Sequence, residues 1–300
     1  MKTIKKVRIY LWTCFKMSRP SQLLLIALVY VFGTIIALAE GNPFNLGVFI
    51  FGLIALIPAS ASVHYANEYA DYETDSLTVR TPFSGGSGAL QSSGLSRQLA
   101  LISAWVAVFI GITLVSIGWV SGLLNVTTIV ILILGTFFGW MYSLHPLAFA
   151  RHGWGELVNA SLGGVLLPVY GYTVQTGRID VTILLASLPF GILAFLNLLA
   201  TTWPDRDADA MVGKRTLATR WSSNRLRLLH TTAAVGYFVV ILLFLWAGIL
   251  PPLVAWSSFL VTPLVVWGGL TYTRRRSPFP TVAAMVLLMI LQTIAWWMTI

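Results

Sequence analysis

The sequence predicts an all-α membrane protein: a bundle of nine transmembrane helices, N-terminus in the cytoplasm and C-terminus outside. Three observations carry that prediction. Only 10% of the 300 residues are charged and 57% are hydrophobic, against roughly 25% charged in a soluble chain. Mean hydropathy is +0.82, so there is too little polar surface to cover a globule in water, and lipid is the solvent. Nine apolar runs, each near the ~20 residues that cross a bilayer, alternate with helix breakers. Finally, the Lys and Arg residues fall almost entirely in alternate connections.

The runs are residues 22–39, 46–67, 98–120, 126–144, 156–175, 181–203, 229–250, 253–273 and 281–297. Between them stand Gly41-Asn42-Pro43, Ser121-Gly122, Thr176-Gly177, Pro251-Pro252 and Pro278-Phe279-Pro280, which end helices by backbone freedom or by a missing N–H. No soluble domain is present, and residues 1–300 read as one membrane-embedded domain. Residues 1–20 form a basic cytoplasmic segment without a small-residue cleavage site, so it is not a removed signal peptide. The N-terminal segment carries Lys2, Lys5, Lys6, Arg8, Lys16 and Arg19, and the even-numbered connections carry twelve more basic residues. The opposite side has only Arg178. Cytoplasmic loops collect Lys and Arg, which sets the orientation and places the chain in the cytoplasmic membrane. It also accounts for the net charge of +9 without a nucleic-acid partner.

Cys14 is the only cysteine and His64, His145, His152 and His230 are scattered, which excludes an intramolecular disulfide and argues against zinc. The acidic residues are not scattered. Of ten in the chain, four lie in residues 68–75 and three in residues 205–209, both on the predicted cytoplasmic side. Carboxylates beside lipid are costly and usually functional. Asn67, Asp71 and Asp75 recur at i, i+4 and i+8, so a helix continuing out of the second span presents them on one face. Like charges at that spacing destabilise a helix, and a cation is expected nearby. Asp205 and Asp209 repeat the i, i+4 spacing, with Pro204 in the first turn of a short helix and Gly213 at its end. Asp207 points elsewhere, toward Arg206 or solvent. His64, one turn before Asn67, reads as a buried structural histidine rather than as a base or a group orienting a ligand.

Two carboxylate pairs with no nearby thiol or imidazole suit a hard divalent cation such as magnesium, which takes one or two carboxylates plus waters and phosphate oxygens. Each acidic stretch is followed by a basic, glycine-bearing one. Arg80-Thr81-Pro82-Phe83-Ser84-Gly85-Gly86-Ser87-Gly88 follows the first and Gly213-Lys214-Arg215 the second. Backbone N–H groups and cationic side chains of this kind close on phosphates, and the whole reads as a diphosphate site.

The chain resembles the UbiA superfamily of intramembrane prenyltransferases. The resemblance rests on Asn67-x-x-x-Asp71-x-x-x-Asp75, on Asp205-x-x-x-Asp209 followed by Gly213-Lys214-Arg215-Thr216-Leu217-Ala218, on Tyr142-Ser143-Leu144-His145-Pro146-Leu147, and on Gly153-Trp154-Gly155-Glu156. The 80–87 run and Gly-Lys-Arg-Thr-Leu-Ala resemble the branch that prenylates 1,4-dihydroxy-2-naphthoate for menaquinone, with departures at Thr201, Thr202, Leu144 and His145. The resemblance implies an isoprenyl diphosphate donor and an aromatic acceptor. It implies two magnesium ions on Asp71, Asp75, Asp205 and Asp209, with Asn67 as a neutral ligand or an orienting group. Arg80, Lys214 and Arg215, together with Asn67, would hold the diphosphate, and the Tyr142 ring would face the allylic cation. Other acceptors of this superfamily are 4-hydroxybenzoate, homogentisate, a chlorophyllide or a glycerophosphate. A cation-coupled transporter is the main alternative of another class. It is disfavoured because transporter sites lie near the bilayer midplane, whereas these acids sit at helix ends. A non-catalytic scaffold would not need both motifs.

Overall fold

The computed structural model describes residues 2–81 and 83–300, with side chains from residue 6 onward. Pro82 of the glycine-rich run lies outside the described residues, as do the side chains of Lys2 and Lys5. Among the described residues every regular element is helical, and nine helices are long and apolar enough to span a membrane. In chain order the elements begin with α1 (Lys2–Met17), α2 (Pro20–Ala39), α3 (Leu46–Ala70), α4 (Tyr72–Leu77) and α5 (Ala89–Ser93). Next come α6 (Gln98–Val120), α7 (Val126–Ser143), α8 (Phe149–His152), α9 (Gly155–Thr176) and α10 (Val181–Thr202). Then follow α11 (Arg206–Met211), α12 (Leu217–Arg220), α13 (Ser223–Trp246), α14 (Pro252–Thr271) and α15 (Phe279–Trp297). The spans are α2, α3, α6, α7, α9, α10, α13, α14 and α15, and the chain is an integral membrane protein.

Local sequence explains where the spans begin and end. Asn45 and Asn125 cap α3 and α7, their side-chain oxygens accepting from Val48 N (3.1 Å) and Thr128 N (2.8 Å). Gly41, Gly122 and Gly177, three of the predicted breakers, adopt positive φ. The seventh span starts at Ser223, six residues before the predicted boundary. Ser222 caps it, its side chain accepting from Arg225 N. Pro204 precedes the N-cap residue Asp205 instead of occupying the first turn of α11, and α1, expected only as a basic segment, is a full helix. Irregular turns fall where a proline removes a donor: a π turn over Leu162–Leu166 precedes Pro168, and a 3-10 turn over Phe259–Val261 precedes Pro263.

Burial sorts the spans into a centre and a rim. The helices α2, α9, α10 and α15 are the most buried. Their core holds Tyr30, Phe32, Tyr170, Phe190, Leu193 and Leu288. In contrast, α6 and α13 turn Trp105, Phe109, Trp119, Leu243 and Trp246 outward; that would be an aggregation surface in water and is the ordinary face toward lipid. The centre is tight because α2 and α9 touch backbone to backbone. A Cβ at Gly33 would overlap the Pro168 carbonyl, and one at Gly171 the Tyr30 carbonyl. Small residues permit this approach where no hydrophobic driving force joins helices in lipid.

Candidate active site

Both acidic motifs lie at the C-terminal ends of spans, α3 and α10, and so meet at one end of the bundle, where α11 packs on α4. Asp71 separates α3 from α4 without breaking the helical path. Its N–H bonds to the Asn67 carbonyl (2.9 Å), and its carbonyl accepts from Asp75 N (2.8 Å). Asn67, Asp71 and Asp75 therefore stay on one face, and all three line a cavity of about 650 Å³. Asp209 N likewise bonds to the Asp205 carbonyl (2.9 Å), and both carboxylates line the same cavity. Asp207 is exposed and turns away toward Arg206 (3.5 Å). Tyr142 and Lys214 also line the cavity, with Arg80 at its exposed edge.

Lys214 joins the two motifs. Its Nζ lies 3.0 Å from Asp71 Oδ1 and 3.5 Å from Asp209 Oδ1, supplying the cation that the carboxylate spacing calls for. Burial works against its charge, but Asp71 and Asp209 more than reverse that and hold its pKa above the ordinary lysine value. Asn67 is fully engaged: its amide nitrogen donates to Asp71 Oδ2 and Ser143 Oγ (both 2.9 Å), and its oxygen accepts from Arg19 Nη2 (2.8 Å). It orients Asp71, and its oxygen is shared with Arg19. Arg215 is exposed and absent from the cavity lining, with its N–H on the Arg151 carbonyl (3.3 Å), so the structure does not bring it to the other predicted site residues.

A second network, which no local spacing in the sequence marks, holds the glycine-rich segment beside the site. Buried Glu68 accepts from Arg19 Nη2 (2.6 Å) and Nε (3.0 Å), from Ser87 N (2.8 Å) and from Ser87 Oγ (2.6 Å). The signal for it was an accounting one: a carboxylate beside two others in a membrane helix needs a fixed cation, and Arg19-Pro20 opens the neighbouring span. Gly86, at φ +62°, lays its backbone against Asp75, and a Cβ there would overlap the Asp75 carboxylate. The segment is thus built to approach the carboxylates closely.

The donor set fits a hard cation that a ligand must complete. All four candidate donors are carboxylates, and Asp205 Oδ1 is buried without a partner. Yet among the described residues no three Asp, Glu, His or Cys side chains converge on one point. Magnesium bound by one or two carboxylates takes its remaining oxygens from water and phosphate, which matches a pair of donors per motif. The electrostatics agree. Asp75 is pushed up to about 7, first by burial and then by the negative charges of Asp71 and Glu68, with Arg19 and Lys214 opposing. Asp205 is pushed up to about 6 by burial and by Asp209, and burial also raises Asp209.

A testable consequence concerns the metal-free protein. The folded-state value of Asp75 lies above its unfolded value of 3.8, so between these the native state holds a proton that the unfolded chain has lost. Stability from this group is present at low pH and is lost as pH rises through about 7. In EDTA, the melting temperature in detergent is expected to fall between pH 5 and pH 8, and Asp75→Asn is expected to flatten the decline. Equal slopes for the two proteins would contradict this account.

The UbiA prenyltransferase family model matches residues 25–299, nearly the whole chain. The chain belongs to the UbiA prenyltransferase family. It is an enzyme of the prenyltransferase class, as the motifs suggested. A curated relative, the 1,4-dihydroxy-2-naphthoate octaprenyltransferase of Bacillus subtilis (strain 168), is 25% identical over 277 residues. The match covers 90% of this chain and 85% of the relative. Among solved structures, a UbiA homolog from Archaeoglobus fulgidus bound to GPP and Mg2+ superposes with a TM-score of 0.66 at 16% identity, over 96% of this chain and 99% of that one. A digeranylgeranylglyceryl phosphate synthase superposes with a TM-score of 0.67 at 13% identity, over 96% and 98%. At those identities the UbiA structures establish the shared fold, including the all-helical bundle predicted from sequence.

Proposed function

We propose that this UbiA-family enzyme transfers an isoprenyl group from a prenyl diphosphate to 1,4-dihydroxy-2-naphthoate in a magnesium-dependent reaction at a cytoplasmic membrane. The carrying observation is the cavity itself. One end gathers Asp71, Asp75, Asp205, Asp209 and Lys214, while the walls beyond it are largely apolar, among them Leu25, Val29, Leu56, Leu132, Leu166 and Phe190. A charged head and a hydrocarbon tail, the two parts of a prenyl diphosphate, match that division. The naphthoate acceptor is supported by likeness to the Bacillus subtilis enzyme along most of both chains. The cytoplasmic placement of the acidic end rests on the concentration of Lys and Arg on its side.

In this reading Asp71, Asp75, Asp205 and Asp209 hold magnesium, which when bound draws off charge developing on the departing diphosphate. Lys214 and Arg80 set positive charge beside the same oxygens, fixed in place before the reaction begins. The bond between C1 and the bridging oxygen breaks and diphosphate leaves with the electron pair. The apolar walls keep water from the allylic cation, and Tyr142, lining the same cavity, supplies the aromatic ring that would stabilise it. An electron-rich ring carbon of the acceptor then bonds to C1. The ring regains aromaticity by losing carbon dioxide from the naphthoate, or a proton from an acceptor without a carboxylate at that carbon.

The test is an acceptor panel with purified protein in liposomes, several prenyl diphosphates and product mass spectrometry. A prenylated, decarboxylated naphthoate that disappears in excess EDTA is expected. Turnover of 4-hydroxybenzoate, homogentisate or a glycerophosphate in its place overturns the acceptor assignment. Undiminished activity in EDTA overturns the metal site, and cation-driven uptake without prenyl diphosphate overturns the enzymatic reading of the cavity.

A further inference from the structure

Helix α1 is amphipathic, and only part of it is covered by the protein. Val7, Leu11 and Phe15 recur at i, i+4 and i+8 and so share a face. All three are exposed, Leu11 at 67% and Phe15 at 64%. Thr13 and Met17 are fully buried, and Met17 packs with Leu90 and Ala100. The helix therefore has a protein side and a bare apolar stripe. It also holds five cations, Lys2, Lys5, Lys6, Arg8 and Lys16, and no acid. Arg8 flanks the stripe, and Lys16 lies over the Trp12 ring, 4.8 Å from its centroid. Among the described residues Lys6, Arg8 and Lys16 form no ion pair with a carboxylate.

Two contacts set the depth of α1. Cys14 Sγ lies 3.5 Å from Ser103 Oγ, and the Cys14 carbonyl accepts from Tyr65 Oη (3.1 Å). Ser103 stands five residues after the start of α6 and Tyr65 five residues before the end of α3, each about 7 Å in from the tip of its span. The second half of α1 thus runs beside the spans, inside their ends. Cys14 shares the side of Val7 and Leu11, at i, i+4 and i+7, so the bare stripe is on the side turned inward along the spans. Apolar residues at that depth meet acyl chains, and a helix of this kind with basic residues beside its apolar face lies in the plane of the interface. The charge selects the lipid. Basic residues at a bilayer surface are attracted by anionic headgroups, and α1 has no acid to offset them. A second copy of this chain fits poorly, because a symmetric contact through α1 would set five cations against five.

We propose that α1 is an in-plane anchor that docks on anionic phospholipids at the acidic end of the bundle, the membrane surface read above as cytoplasmic. Val7, Leu11 and Phe15 lie among the acyl chains, and Lys6, Arg8 and Lys16 meet headgroup phosphates. The anchor ends where the active site begins. Lys16 and Arg19 line the cavity, and Arg19, two residues past α1, holds both Asn67 and Glu68. The inference stands whichever acceptor the enzyme uses.

The experiment uses the full chain in nanodiscs, with Cys14→Ser removing the only cysteine and a bimane fluorophore on Leu11→Cys. Phe15→Cys gives a second labelling position should that variant not fold. Quenching by brominated phosphatidylglycerol is compared with quenching by brominated phosphatidylcholine, each at the same low fraction in phosphatidylcholine. A bimane on Leu243→Cys, on the outward side of α13, is the reference. Both lipids are expected to quench at Leu11, the anionic one about three-fold more strongly, and to quench equally at Leu243. Lys6→Gln combined with Arg8→Gln, or salt raised to about 1 M, should bring the ratio at Leu11 toward one. The salt measurement needs no change at Lys6 or Arg8, so it decides the matter even if the double variant folds poorly. Equal quenching by the two lipids at low salt would overturn docking on anionic lipid. No quenching at Leu11, with quenching intact at Leu243, would overturn the in-plane placement. Excimer emission from pyrene at Leu11 would put a second copy on the stripe and overturn the proposal as well.

Discussion

Asp71→Ala and Asp209→Ala are each expected to lower turnover by about 10³-fold or more while leaving a folded protein. The size of the effect follows from the sparseness of the site. Among the described residues no three metal-binding side chains converge, so each motif contributes few donors and deleting one has no local substitute. Asp71 and Asp209 are also the two carboxylates that Lys214 touches, so either change alters the position of a fixed positive charge as well as a metal ligand. Folding should survive, because neither carboxylate takes part in the Arg19–Glu68–Ser87 network that fastens the glycine-rich segment. The check is turnover in liposomes alongside gel filtration and melting temperature. Near-wild-type turnover in both variants would remove the carboxylates from the mechanism.

How much of this was readable in the sequence depends on the range of the interaction concerned. The nine spans were legible because bilayer thickness imposes a length and breakers punctuate it, and Gly41, Gly122 and Gly177 do adopt the positive φ that ends a helix. Asn67, Asp71 and Asp75 were legible because their relation is set by helical geometry over eight residues. Contacts between distant segments were not. Nothing in residues 213–216 says that Lys214 reaches back to Asp71, 143 positions earlier in the chain. Equally, the run around Arg80 does not reveal that Ser87 is the residue fastened to Glu68. Arg215 shows the converse error. It shares the local motif with Lys214, but adjacent residues on a turn point in different directions, and only one of the two enters the cavity.

Lys214→Ala separates the two roles its position suggests. In the metal-free protein Lys214 is the counter-ion to a pair of buried carboxylates, its side chain 11% exposed and those of Asp71 and Asp209 13% and 4%. Removing one partner of a buried ion pair leaves uncompensated charge and costs about 3 kcal/mol or more, so the melting temperature in EDTA is expected to drop. Magnesium and prenyl diphosphate should restore much of that loss, because a bound cation can neutralise the same carboxylates and binding to the native state alone stabilises it. Turnover should not be restored. If Lys214 also stabilises charge on the leaving diphosphate, kcat at saturating magnesium and donor stays roughly 10²-fold or more below wild type, and Lys214→Arg, which keeps the charge but not the compact ammonium, recovers the melting temperature more fully than kcat. Recovery of wild-type kcat by Lys214→Ala at saturating magnesium would instead make the lysine a placeholder for the metal, holding the two motifs together until the substrate arrives.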